Sequence, residues 1–287
     1  MTRHARTRTS NISTRVLATL GAALGFAVIS ADAEAGLLGG LLVGTTCVNI
    51  VTQGLSAATP TGLTGSLTTL PCSGIDPQFG PFSGSGDVSS FVDYGVMKTI
   101  GHTTSAGLMG FAQSSTGLGY SDLVTFDPVN SLLIGQSATV QAQIQLQALL
   151  IGGTEWSLDV TFGGAQETFS SFDFTDCSTP CTFDLTLGMT LGTSTQLLVN
   201  LMASDVAVLD GSSSFDLSQS VYWDGIQSVT VDGQPVAFTL TSVSKHNWVE
   251  SSVPGSGPTP APEPASVALL AMGLLGLGFS LRREVRR

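Results

Sequence analysis

Apolar and polar residues alternate with period two through the middle of the chain. Ala138, Val140, Ala142, Ile144, Leu146 and Ala148 alternate with Thr139, Gln141, Gln143, Gln145 and Gln147. That pattern predicts a strand with one face in a core and one in water. Trp156, Leu158, Val160 and Phe162 repeat it, as do Phe183, Leu185, Leu187 and Met189. The run from Leu197 to Leu209 is apolar enough for a strand through the centre of a sheet. Val229 to Val231, an Asp232-Gly233 turn and Gln234 to Leu240 predict a hairpin, with Pro235 confined to an edge. No segment between the two ends shows a helical period. About ten such strands, separated by Gly, Ser, Asp and Asn, predict an all-β, antiparallel, jelly-roll-like sandwich forming one domain. The Gly-, Ser- and Thr-rich stretch before Asp87 is less regular and reads as partly loop. There is no internal repeat.

Two apolar runs at the ends break this alternation. Val16 to Ile29 follows Arg3, Arg6, Arg8 and Arg15 and precedes Ala33-Glu34-Ala35, an A-x-A site with the cut before Gly36. This is the order of a secretory signal peptide, residues 1–35, handled by the Sec translocon and signal peptidase. Ala31-Asp32-Ala33 offers a competing cut. At the other end Ala265 to Leu281 is a run of seventeen uncharged residues, the lower limit for a transmembrane helix. Arg282, Arg283, Arg286 and Arg287 follow at once, a cytoplasmic stop that places everything before the span outside the cytoplasm. Pro262 and Pro264 disfavour helix and hold Glu263 extended, as a processing enzyme would need. Residues 251–261, rich in Pro, Gly, Ser and Thr, form a linker, which leaves residues 36–250 as the exported body.

Removing the ends changes the charge picture. Between Gly36 and Pro264 the chain holds only two basic residues, Lys98 and Lys245, against eighteen Asp plus Glu, a net charge of −16 compared with −11 for the whole chain. Such a surface excludes nucleic acid and anionic polymers as counterion-releasing partners, and it keeps copies of the body apart.

The order Pro262-Glu263-Pro264, Ser266, short span and Arg cluster resembles the PEP-CTERM sorting signal of Gram-negative bacteria, with Ala261 where the family usually has valine. The resemblance implies recognition and cleavage by an inner-membrane exosortase, and a setting in which exopolysaccharide is made. A second segment, Val221-Tyr222-Trp223-Asp224-Gly225-Ile226-Gln227-Ser228-Val229, is similar to one found upstream of the signal in many such proteins, where Tyr-Trp-Gly-Gly-Ile is common; here Asp224 replaces the first glycine. That similarity implies the last strands of a sandwich with no assigned activity. It favours Tyr222 and Trp223 as core residues, with a ligand-stacking platform as the alternative.

Cys47, Cys72, Cys177 and Cys181 all fall in the body. An even count in an oxidising compartment predicts disulfides with three connectivities open, of which Cys177–Cys181 and Cys47–Cys72 are favoured. A zinc site would need further soft ligands, and the body supplies only His102 and His246.

Catalytic chemistry is thinly represented. There is no Gly-x-Ser-x-Gly elbow, and both histidines read as surface or capped residues. Asp122 with Asp127, or Asp173 with Asp176, could be posed as a glycosidase pair, although strand-end turns carry the same residues. Acidic loop ends could hold calcium, but no EF-hand-type loop is present. The chain therefore reads as an exported surface or matrix protein with a structural or adhesive sandwich, not an enzyme, and with no catalytic, metal or cofactor residues assigned. The alternatives are a carbohydrate-binding module, which needs exposed aromatics, and a secreted hydrolase acting on exopolysaccharide, which needs a cleft.

Overall fold

A computed structural model describes residues 35–45, 48–57, 62–69, 71–173 and 177–254. Nearly all of them belong to one compact unit that ends at Ser252. The predicted signal peptide before Ala35, Cys47, Asp176, the predicted linker from 255, the sorting tripeptide, the predicted span and the terminal arginines lie outside the described residues.

The described residues fold into strands in two antiparallel sheets arranged as a sandwich. The first sheet contains β1 (Ala35–Thr45), β2 (Val48–Ala57), β7 (Phe111–Pro128), β10 (Gly153–Phe162), β11 (Ala165–Ser170), β13 (Thr195–Val208) and β16 (Phe238–Ser242). Its order is β11-β10-β13-β7-β1-β2, with β16 also on β7. The second sheet contains β3 (Leu63–Thr68), β4 (Cys72–Asp76), β5 (Gly80–Asp93), β6 (Val96–Ala106), β8 (Ser137–Leu146), β9 (Leu149–Ile151), β12 (Cys181–Thr190), β14 (Gly211–Val231) and β15 (Gln234–Pro235). Its order is β12-β8-β14-β6-β5-β3, with β4 on β5 and β9 and β15 on β14.

The alternation in the sequence becomes the core. Ala138, Val140, Ala142, Ile144 and Leu146 of β8 are buried beside Phe183, Leu185, Leu187 and Met189 of neighbouring β12, in one hydrophobic cluster with Trp156, Leu158, Val160 and Phe162 of β10 in the other sheet. On the opposite face of β8 the glutamines pair across the sheet: Gln143 Nε2 donates to Asp184 Oδ1 at 2.7 Å and Gln145 Nε2 to Asp224 Oδ2 at 3.0 Å. The Leu197–Leu209 run is β13, held between β10 and β7. An apolar void of about 10 Å³ lies among Phe126, Phe162, Trp223, Ile226 and Trp248. It is about the size of one water and far below the volume of a ligand pocket.

Two expectations need correction. The stretch before Asp87 is more regular than expected: among the described residues it supplies β1 to β4 and the start of β5. Its glycines and small hydroxyl residues carry no hydrophobic alternation, so the strands come from pairing, with Gly40 opposite Gly54 in β2 and Gly117 in β7. The Asp-Gly hairpin forms, with φ of +50° at Asp232 and +76° at Gly233, but it is short. Only Gln234 and Pro235 pair back on β14 as a strand. The chain then crosses to the other sheet, where β16 pairs with β7, because Phe238 and Leu240 pack against the shared core instead of extending an edge.

Candidate functional site

After β16 the chain leaves the sheets but not the core. The segment Val243–Ser252, here called the strap, wedges between the two sheets at the end where β1 begins. Trp248 is its centre, with 0% of its surface exposed. Its ring lies against Tyr120 at 5.4 Å between centroids and edge-on to Trp223 at 5.5 Å and to Tyr94 at 6.2 Å. Such tilted and edge-to-face pairs add to the stabilisation from simple burial.

A buried carboxylate fastens the strap. Asp122 lies on the inward face of β7, level with Ala35 at the start of β1, and is fully buried. It accepts hydrogen bonds from the backbone N–H of Ser244 at 3.0 Å, from the Ser244 hydroxyl and from Trp248 Nε1 at 2.7 Å. The other sheet holds the strap's backbone: Trp223 Nε1 donates to the Trp248 carbonyl at 2.7 Å, and the Ser252 N–H to the Trp223 carbonyl at 2.8 Å. Without these donors a buried carboxylate would be strongly disfavoured.

The Tyr222–Ile226 segment is the other half of the fastening. Trp223 and Tyr222 are buried, as expected of core residues. Asp224 accepts from Ser251 Oγ at 2.6 Å as well as from Gln145. Gly225 has φ +87°, and a Cβ there would stand 2.7 Å from the Val249 carbonyl oxygen. The segment thus clamps the outgoing strap instead of presenting a ligand platform.

Of the two positions expected of His246, surface or capped, it does not take the surface one. It is half-buried, 4.4 Å from the Trp248 ring between centroids, and burial lowers its pKa against the opposing pull of Asp122 and Asp93. Burial, helped by Asp122 and Asp93, pushes the Tyr94 hydroxyl up to about 12. His102 is half-exposed on the outward face of the other sheet, with Nδ1 3.8 Å from Asp87 Oδ1. Asp122 and Asp127 point to opposite faces of β7, the first buried and the second exposed, so they cannot act as a pair. Asp173 is exposed on a turn and bonds Ser170.

A second buried carboxylate, Asp205 of β13, sits toward the other end of the sandwich. It accepts from the Ser114 N–H at 3.1 Å, from the Ser114 hydroxyl and from Thr103 Oγ1 at 3.0 Å. Burial pushes its carboxyl up to about 6, against these hydrogen bonds and nearby His102, which pull it down. Sequence reasoning missed both acids as buried anchors. The available signal was an acid at an inward position of an otherwise apolar strand.

Cys177 and Cys181 are joined by a disulfide, with Cα atoms 5.4 Å apart. Cys72 is disulfide-bonded as well; Cys47, its expected partner, lies outside the described residues. Ala35, one of the two residues of the favoured cleavage site, is the first residue of β1. Among the described residues, no three His, Cys, Asp or Glu side chains converge as a metal site would require.

Residues 260–283 match the PEP-CTERM protein-sorting motif. The chain thus carries a PEP-CTERM sorting motif, which implies export, recognition by an exosortase and anchoring through the C-terminal region. No curated protein matches the chain.

Proposed function

We propose that this is a surface or extracellular-matrix protein whose jelly-roll-like body has a structural or adhesive role and no catalytic one. A signal peptide exports it and a single C-terminal span first anchors it. Exosortase then processes it at the Pro262-Glu263-Pro264 motif, in a setting rich in exopolysaccharide. The observation that carries the proposal is the sorting motif at residues 260–283, eight residues beyond the last residue of the strap. Because Ser244–Ser252 is fastened to both sheets, cutting at the motif leaves the body's core whole.

The body's side chains support a non-catalytic role. All three tryptophans and all three tyrosines are buried, which weighs against an exposed aromatic strip for sugars. His102 lies on an outward sheet face, where among the described residues Asp87 is its one ion-pair partner, which weighs against a cleft with converging groups. No cofactor is called for.

Two measurements test the proposal. Replacing Glu263 or its flanking prolines should leave an unprocessed, membrane-held form in a host with the processing enzyme. A mature C-terminus at an unchanged position would end the sorting assignment. Purified body that hydrolysed glycans or esters at enzyme-like rates would end the non-catalytic one.

A further inference from the structure

The strands β1, β2 and β3 at one flank of the sandwich carry no charged side chain. From Ala35 to Ile75, forty-one consecutive residues include no Asp, Glu, Lys, Arg or His. These residues form β1 to β3 and most of β4, and they bring both sheets to an end on the same side: β2 closes the first sheet and β3 the second. The acidic charge of the exported body therefore lies elsewhere.

The two flanks treat their free edges differently. On the far side the edges are β11 and β12, and a charged side chain blunts them: Glu167 of β11 accepts the backbone N–H of Thr186 in β12 at 2.9 Å, with Asp184 also on β12. On the near side β2 is ten residues long, with neither proline nor charge. Among the described residues it pairs only with β1. An edge of this length, without the charges and prolines that usually guard one, is a template for a further strand.

We infer that β2 is a homotypic assembly edge, at which a second copy of this chain adds its own β2 antiparallel and extends the sheet across a two-fold axis. The occupant is a second copy because the body otherwise repels its own kind. This flank is where two copies can approach without opposing like charges, and an isologous strand pair closes as a dimer. The inference rests on the structural role proposed above, yet it can fail alone: a monomer that is still sorted and non-catalytic would sink the edge pairing and leave that role intact.

The test is sedimentation velocity over a concentration series of the protein released by its host. The wild type should dimerise. Thr52 is exposed near the middle of β2 and falls close to the two-fold axis in a centred register. Thr52→Lys and Thr52→Asp should each weaken dimerisation by about tenfold, because like charges then face each other. An equimolar mixture of the two should restore association, which a merely misfolded variant could not do. A wild type that stays monomeric, or a dimer indifferent to both charges, overturns the inference.

Discussion

Asp122 and Asp205 are two fully buried aspartates, each holding three donors, and they serve opposite ends of the same sandwich. The donors of Asp122 belong to the strap, Ser244 and Trp248. Those of Asp205 come from strands of both sheets, Ser114 on β7 and Thr103 on β6. Ser114 and Asp122 are eight residues apart on β7, or about 27 Å at strand rise. At the first end the acid fastens a segment that no sheet ladder holds. At the second it ties together two sheets whose own strands are already paired. Similar chemistry thus closes the exit of the chain in one place and stitches layers in the other.

The largest effect should come from emptying the exit. Trp248→Ala removes the fully buried ring and leaves the Asp122 carboxylate short of a donor, and it should cost about 3–5 kcal/mol in chemical denaturation. Trp248→Phe keeps most of the ring but loses the N–H, so it should cost about 1–3 kcal/mol. If the two variants behaved alike, packing alone would explain the strap and the Asp122 bond would add nothing.

The sequence announced the alternating strands and hid the fastening, for physical reasons. The alternation in β8, β10 and β12 is local, because each inward residue is two positions from the next. In β1 the leucines come in adjacent pairs between glycines, Leu37-Leu38 and Leu41-Leu42, so no period of two appears, and its strand character comes from partners such as Gly117 across the sheet. Trp248 meets Asp122 across 126 residues of chain, a distance that no window of sequence spans. Even so, Asp122 sits two residues from Tyr120 and Val124 on one strand face, and an acid in that phase marks a buried partner. The sorting motif was legible in full because an enzyme reads it as sequence.

The second end should carry a response to pH of its own. Asp205 titrates near 6 in the fold against about 4 in the unfolded chain. A raised carboxyl pKa means that the fold binds the proton more tightly than the unfolded chain does. Its stabilisation is therefore present in full below about pH 4 and is lost as the pH rises through 6. The loss is about 3 kcal/mol, because each tenfold difference in proton affinity is worth about 1.4 kcal/mol. Asp205→Asn has no such proton, so the wild type should lose about that much relative to the variant between pH 4 and 7. Parallel stability curves for the two proteins would show that the Ser114 and Thr103 bonds offset burial completely.

The smallest effect probes the clamp from its other side. Gly225→Ala places a methyl group at φ +87°, 2.7 Å from the Val249 carbonyl oxygen. Strain of this kind costs about 1–3 kcal/mol, less than losing the Trp248 ring, because the strap can shift outward and keep its bond to Asp122. The cost should therefore appear first as local opening, with backbone amides of Val249 to Ser252 exchanging hydrogen faster while Ser114 and Thr103 at the far end stay protected. Uniformly faster exchange throughout the body would mean that the strap and the sheets open as one unit, and that the two ends differ only in which residues hold them.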